Sequence, residues 1–166
     1  MATAFVALGS NLSNPVLQIQ LALQALQEIP QSQVVKQSSL YRTAPIGYDA
    51  VSIKNVPDFI NAVAELETSL APLALLEALH NIENKAGRER PYRYAPRVLD
   101  CDLLLYDALV LNTETLTLPH PRMHNRGFVL LPLFEIAPAC DIPNHGKIAA
   151  LLQSGDFSDV QKILAA

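Results

Sequence analysis

The 166-residue chain lacks the marks of several large protein classes. It has only two cysteines, Cys101 and Cys140. Neither has metal-type spacing to the other, so both read as buried, reduced thiols. No apolar run approaches the roughly 20 residues of a membrane span. The opening MATAFVALGSN lacks the basic start and long apolar run of a signal peptide, so the expected compartment is cytoplasmic. Positive charge is scarce: 12 Lys and Arg stand against 16 Asp and Glu, a net charge of −4. That argues against broad binding to nucleic acid or to an anionic membrane. There is no G-x-x-x-x-G-K-[ST], which excludes a P-loop enzyme. Gly146-Lys147 is followed by isoleucine, and the GSN after the first apolar run is too short for a phosphate loop and reads as a turn. Internal repeats and low-complexity tracts are absent.

Half of the residues are hydrophobic and 17% are charged, as expected of a single globular domain over residues 1–166 with a sizeable core. The few basic residues are concentrated. Five of the twelve Lys and Arg lie between Lys85 and Arg97, and Arg122 and Arg126 follow soon after. A local basic patch on an acidic chain suggests a small anion as ligand.

Hydrophobic periodicity orders the chain. Residues 3–8 read as a strand ended by Gly9. Ser13 or Asn14 offers an N-cap, with Pro15 in the first turn of a helix. Leu17, Leu21, Ala22, Ala25, Leu26 and Ile29 follow at helical spacing, and Pro30 stops it. A second strand is expected over 33–41, then a long connection over 42–58. Residues 59–67 alternate: Ile60, Ala62, Ala64 and Leu66 point one way, Phe59, Asn61, Val63, Glu65 and Glu67 the other. A helix from Pro72 would turn Leu73, Leu76, Leu79 and Ile82 inward. An Arg-rich connection spans 84–96 and a fourth strand 98–106. A Pro-rich loop leads to a helix over 126–135, and short helices are expected near 147–152 and 157–164. The order β-α-β-β-α-β implies an α+β, ferredoxin-like core with additional C-terminal helices.

The fourth strand holds the chemistry. In RVLDCDLLLY, residues 97–106, seven of ten residues are apolar, yet Asp100 and Asp102 are one residue apart. Residues i and i+2 of a strand share a face about 7 Å apart, and two such carboxylates repel unless one is protonated or a cation lies between them. Mg²⁺ suits one or two carboxylates completed by water and phosphate oxygens. The alternative is a solvated strand face with two ordinary aspartates. Arg88, Arg90, Arg93 and Arg97 precede the pair, and Arg122 and Arg126 follow it. Guanidinium groups donate forked hydrogen bonds to phosphate and stay charged. Carboxylates holding Mg²⁺ beside arginines fit phosphoryl transfer. His120 and His124, at i and i+4, could form a zinc pair, but there is no third ligand nearby and Pro121 disfavours a regular helix. His120 beside phosphate fits better.

VALGSNL at 6–12, YRTAPIG at 41–47, PDFINAVAELET at 57–68, PRVLDCDLLLYD at 96–107 and LPHPRMHNRGFVLLPLFEIAP at 118–138 together resemble the 6-hydroxymethyl-7,8-dihydropterin pyrophosphokinases of folate biosynthesis. The resemblance covers nearly the whole chain. It implies transfer of pyrophosphate from ATP to a pterin hydroxymethyl group with release of AMP, two Mg²⁺ ions, and usually a monomer. By the same resemblance, Asp100 and Asp102 hold both Mg²⁺ ions, and Arg88 and Arg97 act catalytically. Glu83, Arg90, Leu103, Thr117, His120 and Arg126 contact the nucleotide. Thr43, Ala44 and Ile46 line the pterin, Asn61 reads its polar edge, Phe59 and Phe128 sandwich it, and Tyr94 covers it.

Tyr94 stands where the family often has tryptophan, Ala95 where it has glycine, Phe59 where it has tyrosine and His80 where it has glutamine. The 42–58 loop is longer than in compact bacterial members. Two rivals are a ferredoxin-like regulatory module that binds nucleotide without chemistry and a metal-dependent phosphoesterase. The first leaves the aromatic-and-amide strand face unexplained. The second needs a water-activating base that the sequence does not offer.

Overall fold

The computed structural model of the chain describes residues 1–44, 58–87 and 98–164. In chain order the elements are β1 (Ala2–Ser10), α1 (Pro15–Gln27), β2 (Ser32–Gln37), β3 (Leu40–Thr43), β4 (Phe59–Thr68) and α2 (Pro72–Gly87). There follow β5 (Asp100–Tyr106), the short pair β6 (Leu111–Asn112) and β7 (Thr117–Leu118), and a 3-10 turn (Met123–Asn125). α3 (Gly127–Ile136), the hairpin β8 (Asp141–Ile142) and β9 (Gly146–Lys147), α4 (Ile148–Gln153) and β10 (Val160–Leu164) complete it.

The main sheet runs β10-β3-β4-β1-β5, and β2 pairs with β4 beside β3. Every pairing in it is antiparallel. β2 and β3 are one strand interrupted by a bulge. Gln37 faces Ala64 and Tyr41 faces Asn61, so four steps on one strand match three on the other. Counting β2 and β3 together, the spatial order is fourth-first-third-second, the ferredoxin-like arrangement. At the break, Ser38 restores the ladder: its Oγ accepts from the Val63 N–H at 2.9 Å, and its own N–H donates to the Val63 carbonyl at 2.9 Å.

The alternation of β4 sorts its residues between two cores as expected. Ile60, Ala62, Ala64 and Leu66 pack with Ile19, Leu26, Leu75 and Leu79 of the two helices on one face. Val63 packs with Met123, Val129, Leu130 and Leu133 on the other. α1 begins as expected, with Asn14 as N-cap accepting from Leu17 N–H and Pro15 in the first turn.

Four local expectations are corrected. Leu17, Leu21 and Leu73 are exposed, at 44%, 48% and 54%. At about 100° per residue, Leu17 and Leu21 each lie about 160° from Ile19 and Leu73 about 160° from Leu75, so each points away from its helix's buried stripe. α2 continues to Gly87 rather than stopping before residue 84, with Lys85 at the favourable negative end of its dipole. β1 continues through Gly9 to Ser10, so GSN does not begin a turn at its glycine. Residues 160–164 form a strand, not a helix, because β10 pairs with β3 and covers what would be an open sheet edge.

α3 is pinned to the sheet by one carboxylate. Glu135 accepts hydrogen bonds from Ser39 N–H at 3.0 Å, Ser39 Oγ at 2.9 Å and Tyr41 OH at 2.7 Å, and Lys162 Nζ lies 3.9 Å away. Burial pushes its carboxyl up, but the bonds from Tyr41 and Ser39 and the charge of Lys162 outweigh that and hold it below its ordinary 4.5. Burial, with Glu135 adding, pushes the Tyr41 phenol well above its ordinary 10. A carboxyl lowered in the folded state stabilises above its unfolded value and loses that contribution as pH falls through the folded one. Glu135→Gln is expected to cost about 1–2 kcal/mol at neutral pH. The deficit should shrink as pH falls below 4.5, which urea titrations at several pH values would measure. A deficit that does not change with pH would mean that the charge of Glu135 contributes nothing.

Candidate functional site

At one end of the sheet, on the face bearing α3, the strand register gathers side chains from distant parts of the chain. Gly9 lies between Asn61 of β4 and Asp100 of β5, and Ala7 between Val63 and Asp102. Thr43 at the end of β3 is opposite Phe59. Because positions two apart share a face, Phe59, Asn61, Asp100 and Asp102 all look the same way. They line a cleft of about 400 Å³ together with Thr43, Ala44, Arg122, Arg126 and Phe128. That volume is in the range of small-molecule sites.

The floor between Asn61 and the carboxylates is made by Gly9 and Ala7. A Cβ at Gly9 would lie 3.2 Å from Asn61 Oδ1, so a side chain there would crowd the amide. Gly9, Ala7 and Arg122 are site residues that sequence reading did not assign. Arg122 carried a signal, since it belongs to the basic patch. The two small residues carried none, because their role depends on which strands flank β1.

Three buried side-chain polar atoms among the described residues lack a hydrogen-bond partner: Thr43 Oγ1, Asn61 Nδ2 and His124 Nδ1. Two of them belong to residues that line this one cleft. A buried donor without an acceptor costs stability, and a ligand that supplies the acceptor recovers it. Phe59 and Phe128 add two aromatic faces to the same cleft, and the Arg126 guanidinium lies 5.5 Å from the Phe128 ring centroid. The set suits a flat, polar-edged ring with an anionic group beside it. A groove of the same volume between α1 and α2, with Glu28 and Lys85 among its lining residues, has none of these unpartnered atoms.

A second cleft of about 230 Å³ opens on the outer side of β5. Its lining includes His80, Glu83, Leu103, Thr117 and His120, and Asp102 lines both clefts. Glu83 is fixed by a bond from the Cys101 N–H to its Oε2 at 2.8 Å. Leu103 is only 3% exposed and packs in the core, which leaves its main chain to the cleft. His120 is held by its main chain, whose N–H donates to the Leu104 carbonyl at 2.9 Å. Its Nδ1 accepts from the Arg122 N–H at 3.2 Å. Burial lowers the His120 pKa, the charge of Asp102 opposes this, and Arg126 and Arg122 lower it further. A neutral ring whose Nδ1 is an acceptor carries its proton on Nε2, which is thus a donor.

The zinc pair is not formed. His120 is engaged as described, while the His124 ring stacks on His145 with centroids 3.8 Å apart. Among the described residues no three His, Cys, Asp or Glu side chains group to hold a metal. The Asp100 and Asp102 pair is an all-oxygen donor set open to a cleft. It fits a hard cation that completes its shell with water and phosphate, and does not fit zinc. Both cysteines are free thiols; Cys101 is buried as expected, whereas Cys140 is only half-buried. Burial pushes Cys140 up to about 11, and burial, then Glu83, Asp102 and Asp100, push Cys101 higher still.

Of the residues expected at the site, Thr43, Ala44, Phe59, Asn61, Asp100, Asp102, Arg126 and Phe128 meet in the first cleft. Glu83, Leu103, Thr117 and His120 meet in the second. Ile46, Arg88, Arg90, Tyr94 and Arg97 lie outside the described residues.

Comparison with known proteins gives the chain a family. The family model described as 7,8-dihydro-6-hydroxymethylpterin-pyrophosphokinase matches residues 5–138. The 2-amino-4-hydroxy-6-hydroxymethyldihydropteridine pyrophosphokinase of Haemophilus influenzae is 45% identical over 163 residues, 98% of either chain. The Bacillus subtilis protein of that name is 42% identical over 133 residues, 80% of this chain and 77% of its own. Among solved structures, wild-type Plasmodium falciparum HPPK-DHPS superposes with a TM-score of 0.72 at 16% identity, over 92% of this chain. This chain spans 44% of that one, and the likeness shows the shared fold. By sequence over nearly its full length, and by fold, the chain belongs to the 7,8-dihydro-6-hydroxymethylpterin-pyrophosphokinase family.

Proposed function

We propose that the chain catalyses ATP-dependent transfer of pyrophosphate to the hydroxymethyl group of 6-hydroxymethyl-7,8-dihydropterin, releasing AMP, as a step of folate biosynthesis. The observation that carries this reading is the meeting of two unlike clefts at Asp102. One offers aromatic faces and unpartnered polar atoms to a heterocycle. The other offers Glu83, Thr117 and His120 to a nucleotide. A group passing from one ligand to the other must cross the carboxylates between them.

For pyrophosphate to move intact, the pterin hydroxyl oxygen must bond to the β-phosphorus of ATP and release its proton to solvent. The bond between that phosphorus and the oxygen bridging to the α-phosphorus then breaks, and the electron pair leaves with AMP. Phe59, Phe128, Asn61 and Thr43 orient the pterin. His120 Nε2–H, Arg122 and Arg126 donate to phosphate oxygens. Asp100 and Asp102 would hold two Mg²⁺ ions, which when bound draw negative charge off the transferring group. Arg88 and Arg97 are assigned to the same group, Arg90 to the nucleotide, and Ile46 and Tyr94 to the pterin, on the resemblance of their segments to the family. The domain is proposed to act as a cytoplasmic monomer over residues 1–166; no helix among the described residues is long and apolar enough to cross a membrane.

Product analysis with ATP, Mg²⁺ and the pterin tests the reading. AMP and pterin pyrophosphate in equal amounts are expected. ADP, free phosphate or no product would overturn it.

A further inference from the structure

We propose that Phe157 is a positioning residue for the pterin cleft, fixing where the start of α3, and with it Phe128, stands over the sheet. The proposal rests on the pterin reading above and extends it to a segment beyond residue 138, where the family match ends.

The start of α3 carries much of one cleft wall, since Arg126, Phe128 and Val129 all line it. Its helical cap does not fix it, because Arg126 occupies the N-cap position and makes no side-chain capping bond. Besides the buried Val129 and Leu130, a close approach holds it. Gly127, the first residue of the helix, is buried, and a Cβ there would lie 2.5 Å from Phe157 Cδ1 and 2.9 Å from Phe157 Cβ and Cγ. The opposite end of the same ring meets Gly155, where a Cβ would lie 2.5 Å from Phe157 Cζ. The ring therefore fills the space that two glycines leave, and it packs against the core beneath α3.

The same short segment reaches the other wall. The Val160 N–H donates to the Phe157 carbonyl at 3.1 Å, and Val160 then pairs with Thr43 at the end of β3. Residues 157–160 thus join the helix start that carries Phe128 to the strand end that carries Thr43. A ring sandwiched between Phe59 and Phe128 needs those faces held at a set separation, and stacking weakens steeply when an aromatic face is displaced.

The test uses the full chain with Phe157→Ala, Phe157→Leu, Gly127→Ala and the double variant Gly127→Ala/Phe157→Ala. Calorimetry would measure 6-hydroxymethyl-7,8-dihydropterin and, separately, a non-hydrolysable ATP analogue with Mg²⁺. Phe157→Ala is expected to weaken pterin binding about tenfold, the scale of one lost aromatic stack, while nucleotide binding stays within about twofold. Phe157→Leu should lose less, and it carries the test if the alanine variant does not fold. Gly127→Ala should weaken pterin binding by pushing the ring away. Removing the ring in the double variant takes away the Cγ and Cδ1 that the new Cβ would meet, so its loss should be smaller than the sum of the two single losses, a coupling expected only if the two positions act on the cleft through one contact. Equal losses for both ligands, or a lower melting temperature with unchanged pterin affinity, would make Phe157 an ordinary packing residue and overturn the proposal. If the wild-type chain binds the pterin neither alone nor with the ATP analogue and Mg²⁺ present, the pterin reading fails and takes this one with it.

Discussion

Asp100→Asn and Asp102→Asn are each expected to lower turnover about a thousandfold or more while the protein still folds. The two carboxylates share a strand face and line the cleft assigned to the pterin, and Asp102 also lines the cleft assigned to the nucleotide. An amide in place of either keeps the shape and one oxygen but loses the charge that would hold a divalent cation against the triphosphate. That charge matters most where negative charge develops, so the loss falls on the chemical step. Folding should be spared because neither side chain is fully buried and removing one of two like charges relieves repulsion. Single-turnover rates at saturating substrates, with circular dichroism as a control for folding, measure this. A folded Asp102→Asn protein with near-normal rates at ordinary Mg²⁺ would sink the metal-holding role and remove the reason for the two clefts to meet there.

Asn61→Ala is expected to weaken pterin binding by about 1–3 kcal/mol, roughly 5- to 150-fold, with nucleotide binding nearly intact. Asn61 is 5% exposed, and its Nδ2 has no hydrogen-bond partner among the described residues. Truncation takes no protein partner from that donor, so it should change stability little. The loss appears when a polar ring edge enters the cleft and finds no amide. Asn61 is separated from the nucleotide cleft by the width of β1 and β5. That distance is why the effect should be confined to one ligand, which separate calorimetric titrations would decide. A comparable loss of nucleotide affinity would show that Asn61 supports the sheet rather than the ligand.

Much of this architecture was legible in the linear chain. Period-two alternation in residues 59–67 assigned each side chain to its face, because a strand has no other way to distribute them. The DCD of β5 put both carboxylates on one face for the same reason, and Asn14-Pro15 marked the start of α1. Helical phase was less legible. With Leu17, Leu21, Ile19 and Leu23 all apolar, more than one stripe could have faced the core, and only packing against the sheet selected Ile19 and Leu23. Residues 160–164 read as a helix because the free edge of β3, which made them a strand, lies over a hundred positions away in the chain.

The site divides along the same line. Local sequence determined its chemistry: paired carboxylates, a basic patch, and an amide and an aromatic two residues apart on one strand. Only the tertiary structure decided that Gly9 separates Asn61 from Asp100, that Asp102 belongs to two clefts, and that Phe157 rests on Gly127. Residue types and short spacings act through covalent geometry, which the chain carries wherever it goes. Register, shared walls and close approaches arise between segments far apart in sequence, and they exist only once hydrophobic burial has brought those segments together.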